Sequence, residues 1–130
     1  MFLTKECDYA IRIVRSLANQ EIKPVRLVCM DEHMPLQFAY KILKKLERAN
    51  LLKSHRGAVG GYQLIKKPGD ITLFDIVAAV DDSLFLSECL QEGAHCEKKV
   101  GDRCKVHEEL HRLQEVLVGG LKEKFMDELV

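Results

Sequence analysis

The sequence predicts a mainly α fold with one small β-hairpin, and three observations predict it. Apolar residues at helical spacing recur in segment after segment of the 130-residue chain. One stretch, residues 51–64, breaks that period and holds Gly57, Gly60 and Gly61 between two strand-like runs. The last strong helical pattern places Val106, Leu110, Leu113 and Leu117 at the 4, 3, 4 spacing of a heptad seam. A hydrophobic share of 47% and a charged share of 31% exclude a wholly disordered or collagen-like chain. No run approaches the ~18 apolar residues of a membrane span.

The elements follow in order. Thr4 is placed to cap a first helix over 4–19, with Glu6 and Asp8 in the first turn, where the helix dipole favours acids. Ala10, Ile13, Val14 and Leu17 form its inward face. After Pro24, residues 25–33 read as a short second helix carrying Leu27, Val28 and Met30. Pro35 suits the first position of a third helix over 35–48, since its missing N–H costs nothing there. That helix has an apolar face of Phe38, Ala39, Ile42, Leu43 and Leu46, opposite a stripe of Gln37, Lys41, Lys44 and Arg48. A hairpin over 51–64 follows. Thr72 then caps a fourth helix, with Phe74, Ile76, Val77 and Val80 inward and an end near Asp81-Asp82. Residues 87–104 lack periodicity and read as a loop. A fifth helix over 105–118 is expected to stop at Gly119-Gly120, before a short amphipathic segment.

Two helices joined by a tight turn, then a basic helix and a hairpin, make the order of a winged helix-turn-helix. The chain therefore divides into a winged helix-turn-helix domain over 1–82, a cysteine-rich loop over 83–104, and a long C-terminal dimerisation helix with its tail over 105–130. Charge supports the division. The formal net charge is zero, but residues 36–67 carry eight Lys and Arg against Glu47 alone, and residues 68–130 carry fourteen acids against seven bases. A basic middle beside an acidic remainder suits a nucleic-acid-binding module fused to something else. The first residues, MFLTKECDYAIR, have charges where a signal peptide has its hydrophobic region, so a cytoplasmic protein is expected.

The five cysteines are Cys7, Cys29, Cys89, Cys96 and Cys104. An odd count without a signal peptide argues for reduced thiols or a metal rather than a disulfide framework. Cys7 and Cys29 fall on helices as small packing residues. Cys89, Cys96 and Cys104 fall in one polar loop, with His107 three positions on. Three soft sulfurs and an imidazole suit zinc or an iron–sulfur cluster, and the lack of any Cys-x-x-Cys pair argues against a simple zinc knuckle.

These residues together resemble the Rrf-two family of bacterial transcription regulators, the group of IscR, NsrR and CymR, in its iron–sulfur-cluster-binding branch. LTKECDYAIR resembles the family's opening helix, and PLQFAYKILKKLERANLLKSHRGAVGGYQL its recognition helix and wing. ITLFDIVAAVD resembles the next helix, and GDRCKVH the end of the cluster loop. The resemblance implies a homodimer on double-stranded operator DNA, with affinity set by a cluster that responds to redox state, nitric oxide, oxygen or iron–sulfur status. It implies Cys89, Cys96 and Cys104 as ligands, with 2Fe–2S ahead of 4Fe–4S. Either His107 or Asp8 of the partner subunit matches a fourth-ligand position, with His33 a weaker candidate. Gln37, Tyr40, Lys41 and Lys44 would face the major groove; Arg56 and the wing residues Gly60, Gly61 and Tyr62 would meet backbone or minor groove; Thr4 and Lys5 would meet phosphate. Two departures stand out. The cysteine gaps are six and seven residues where the family has five and five, and Val59 stands in a wing run where the family has a glycine; valine does not easily take a glycine's positive φ, so the wing tip is expected to sit differently.

Two readings without a cluster remain open at this level: a DNA-binding regulator using the three cysteines as a thiol–disulfide sensor, or one using them with His107 as a structural zinc site. No Gly-x-Ser-x-Gly and no phosphate-binding glycine loop is present, so neither an enzyme nor a small-molecule substrate is expected.

Overall fold

The computed structural model describes residues 3–98 and 104–130. Residues 99–103, and with them Gly101-Asp102-Arg103 of the expected cluster loop, lie outside the described residues. Five α-helices and one hairpin are present: α1 (Lys5–Ser16), α2 (Val25–Glu32), α3 (Leu36–Arg48), β1 (Leu52–His55), β2 (Gly61–Leu64), α4 (Leu73–Val80) and α5 (Lys105–Leu121). The mainly helical winged fold expected from the sequence is the one observed.

Helix α1 begins where Thr4 predicts: the Thr4 hydroxyl accepts from the Cys7 N–H at 3.3 Å. Its inward residues Ala10, Ile13, Val14 and Leu17 are fully buried against α2, α3 and α4. Ala39, Ile42, Leu43 and Leu46 of α3 and Ile76, Val77 and Val80 of α4 complete the centre of the core. Thr72 closes a reciprocal cap with Asp75 at the start of α4. β1 and β2 pair antiparallel from Leu52↔Leu64 to His55↔Gly61.

Four expectations are corrected. Phe38 is not on the inward face of α3: it is 48% exposed, with its ring 6.4 Å from Tyr9. One residue before Ala39 is about 100° round the helix, which puts Phe38 on the flank of the buried stripe. Pro35 precedes α3 as its cap residue rather than opening it. Val59 does not need a positive φ: Gly57 takes the left-handed turn, with φ 105°, and Val59 stands 81% exposed at the wing tip. Gly119 and Gly120 do not end the last helix, because α5 runs through them to Leu121.

That continuation changes the packing. Beyond α5 the chain turns back, Met126 buries to 2% exposure, and Phe125 bridges Thr72 at the start of α4. Lys122 lies over the Phe74 ring at 4.4 Å. The far end of α5 is thus fastened to the winged domain.

Candidate nucleic-acid interface and metal centre

The exposed side of α3 carries Gln37, Tyr40, Lys41 and Lys44, as the polar stripe predicts. Tyr40 shares one open groove of about 500 Å³ with Arg56, Gly60, Gly61 and Tyr62 of the wing. Arg26, at the start of α2, lines the same groove. Sequence reasoning missed it, and the only available signal was its place two residues after Pro24 at a helix start.

The wing is held against the body of the protein. Lys23 and Tyr62 exchange both backbone hydrogen bonds at 2.9 Å. A Cβ on Gly61 would run into the Lys23 carbonyl, and one on Gly60 would lie 2.6 Å from the His55 carbonyl oxygen. These two glycines therefore have a packing reason to be glycine, whatever else they touch. The Gln63 amide donates to the Gln20 carbonyl at 2.8 Å, and its oxygen meets His55 Nε2 at 2.9 Å. Gln63 Oε1 only accepts, so His55 Nε2 carries the hydrogen. Burial, with Glu47 and Tyr40 adding to it, pushes the Tyr62 hydroxyl above its ordinary pKa, so it stays protonated and able to donate.

Other candidates are already engaged. Thr4 is committed to its cap and donates to Cys7 Sγ at 3.3 Å. Lys5 sits over the Tyr9 ring at 5.1 Å. The Lys41 ammonium is 2.7 Å from one oxygen of Glu6, and that of Lys45 is 2.8 Å from the other. Hydrogen bonds from Lys41 and then Lys45 hold the Glu6 carboxyl below its ordinary pKa. Thr4 and Lys5 border a different depression, shared with Asp81 and Asp82 rather than with the wing.

The loop cysteines come together around one pocket. Cys89, Cys96, Cys104 and His107 all line a cavity of about 270 Å³. All three thiols are half-buried, whereas Cys7 and Cys29 are buried and burial pushes the Cys29 thiol up. Cys104 is also the cap of α5: its sulfur accepts from the His107 N–H at 3.4 Å. A ligand at Cys104 is therefore fixed to the helix start. Three sulfurs and an imidazole fit an iron–sulfur cluster in kind and number. They are not drawn into bonding range: among the described residues no three His, Cys, Asp or Glu side chains are set to hold a metal ion. Asp8 does not line this cavity and pairs with Arg12 on its own helix at 3.2 Å. His33 instead ends α2 in a left-handed conformation, exposed.

Missed in the sequence reading is the string His107-Glu108-Glu109-Leu110-His111, which has the His-Glu-x-x-His spacing of helical zinc sites. It lies on α5, where His111 is exposed, with its Nε2 4.0 Å from a Glu115 carboxylate oxygen. A zinc hydrolase needs a third ligand beside the two histidines, and none is set there among the described residues.

The family model described as Rrf2, iron-dependent transcriptional regulator, matches residues 3–130. The chain is 33% identical over 133 residues to the HTH-type transcriptional regulator IscR of Klebsiella pneumoniae, covering all of this chain and 80% of that one. It is 30% identical over 132 residues to protein aau3 of Rhizobium meliloti, covering all of this chain and 85% of that one. Among solved structures, CymR of B. subtilis superposes with a TM-score of 0.78 at 22% identity, covering 97% of this chain and 93% of that one. IscR of T. potens gives 0.75 at 18% identity, covering 97% and 83%. These structural likenesses show the winged fold. With a family match that spans almost every residue, the protein belongs to the Rrf2 family and is a DNA-binding transcriptional regulator, not an enzyme.

Proposed function

We propose that this regulator acts in the cytoplasm as a homodimer on double-stranded operator DNA, and that an iron–sulfur cluster held by Cys89, Cys96, Cys104 and a fourth ligand sets its operator affinity. The observation that carries this reading is the meeting of three loop thiols and His107 around one cavity at the start of α5. The relatives named IscR favour the same reading. A cluster bound there supplies a link, sensitive to redox state and iron, between the loop and the helix. The protein's own residues carry the consequence. Cys104 fixes the loop to the first turn of α5, and Leu121, Phe125 and Met126 fix the other end of α5 to the winged domain. A shift at the loop therefore moves a helix that is docked on its own reading head and that, in the homodimer, would pack against the partner's.

Self-association rests on α5. Of the heptad residues, Val106 is 67% and Leu113 40% exposed, and Val116 beside them is 61% exposed. A helix this apolar on its outer side buries that side against a second copy. On DNA, Gln37, Tyr40, Lys41 and Lys44 enter the major groove, and Arg56 with Gly60, Gly61 and Tyr62 meets backbone or minor groove. Thr4 and Lys5 lie near phosphate. Lysines supply mainly salt-dependent affinity, so base reading falls to Gln37 and Tyr40.

One observation favours a second reading, in which the three cysteines form a thiol–disulfide sensor or, with His107, a structural zinc site. One structural neighbour, CymR of B. subtilis, is named as a global cysteine regulator. Anaerobic purification followed by an absorption spectrum, with iron and acid-labile sulfide assayed on the same sample, separates the two. Broad visible absorption with matched iron and sulfide supports the cluster, and their ratio per chain gives its type. Colourless protein that takes up no cluster on reconstitution supports the second reading. Operator affinity of Cys96→Ala that still changes between anaerobic and oxidised conditions overturns both sensing schemes.

A further inference from the structure

We propose that Glu6 is a specificity-determining residue: its carboxylate competes with DNA phosphate for Lys41 and thereby weakens binding to non-operator DNA. The inference rests on the DNA-facing reading of α3 given above.

The geometry is unusual for a surface meant to meet a polyanion. Glu6, on the first turn of α1, presents each oxygen to a different lysine of α3, Lys41 at 2.7 Å and Lys45 at 2.8 Å. The two lysines are not equivalent. Lys45 is half-buried and also donates to the Val80 carbonyl at 3.1 Å, so it braces α1, α3 and the end of α4. That brace needs only one oxygen of Glu6. Lys41 repeats the α1–α3 link without reaching α4, and its side chain is 62% exposed on the stripe that faces DNA. Among the described residues, Lys44 and Arg56 of the same face form no ion pair. A carboxylate on Lys41 occupies the place of a phosphate oxygen, in charge and in hydrogen-bond geometry. Any DNA that recruits Lys41 must displace Glu6 and leave an anion beside its own backbone. Operator DNA, engaged by base contacts as well, can offset that loss. Non-operator DNA, bound by phosphate contacts alone, cannot.

The test is the salt dependence of binding to a mixed-sequence duplex lacking the operator, read by fluorescence anisotropy on the full-length protein. Each phosphate neutralised adds about 0.9 to the slope of log affinity against log salt. Glu6→Gln is expected to steepen that slope by about one such contact, so that affinity falls about 3.5-fold further between about 50 and about 200 mM salt than it does in the parent protein. The double variant E6Q/K41Q is expected to return to the parent slope. Glu6→Asp keeps the first-turn charge but is too short to reach both ammonium groups, so it gives part of the steepening even if E6Q folds poorly. Lys44→Gln with Arg56→Gln tests the face itself. A flatter slope in that variant, with Glu6→Gln and Glu6→Asp both at the parent slope, overturns the role of Glu6 and leaves the DNA face standing. An unchanged slope in K44Q/R56Q overturns the DNA face, and this proposal with it.

Discussion

Gly61 shows how a residue can be singled out correctly for an incomplete reason. The glycine pair before Tyr62 reads in the sequence as a wing that approaches DNA. The structure adds that Gly61 lets β2 pass directly over the Lys23 carbonyl, with no room for a Cβ. Gly61→Ala must push two backbone segments apart, so it is expected to destabilise the fold by about 1–3 kcal/mol, measured by urea unfolding. An unchanged unfolding midpoint would leave the glycine to a role on DNA alone. Glu6 carries a second expectation at this scale. Its lysine hydrogen bonds depress its pKa in the folded state, so it adds stability above the ordinary glutamate range and loses it as pH falls through the depressed value. The difference in melting temperature between parent and Glu6→Gln should therefore shrink on acidification below that range. No composition or spacing rule points to Glu6, because its partners lie 35 and 39 positions away.

Elements were legible where one local signal sufficed. Helix α3 has a buried stripe and a charged stripe on opposite sides, and both were assigned from spacing, apart from Phe38 at the boundary between them. The Thr4 and Thr72 caps are likewise readable: each hydroxyl precedes a helix with acids in its first turn and satisfies an orphan N–H there, and Thr72 also has Asp75 at the spacing of a reciprocal cap. The end of α5 was not readable. Two glycines normally mark a stop, but each costs a helix only about 0.5–1 kcal/mol relative to alanine. Burial of Leu121 and Met126 beyond them outweighs that cost. A Cβ at Gly119 or Gly120 would meet nothing within 4 Å. Gly119→Ala and Gly120→Ala are therefore expected to stabilise the protein by roughly 0.5–1 kcal/mol each in thermal or urea unfolding. Destabilisation in both would mean that α5 ends earlier in solution.

At the scale of the molecule, α5 connects the thiol cavity to the winged domain. Its first turn borders the thiol cavity, its exposed side carries Val106, Leu113 and Val116, and its last turn docks on the winged domain. The sequence made the thiol cavity legible as a set of donors, because cysteines concentrated in a polar loop have few other reasons to be there. It left the fourth ligand open, since His107 and Asp8 are both present and only assembly tells them apart. His107 lines the cavity of its own chain, and Asp8 does not. Leu113→Glu separates the two. Leu113 is 40% exposed, so a charge there should leave the fold of one chain intact while placing two carboxylates against each other in a dimer. Sedimentation should then show monomers, and operator affinity should fall by about 100-fold or more as the two half-sites lose their linkage. The monomer's spectrum after anaerobic reconstitution reads the ligand. A cluster signature unchanged from the parent protein means that His107 completes the set within one chain. A lost or shifted signature means that Asp8 of the partner subunit does, and cluster occupancy would then depend on assembly itself.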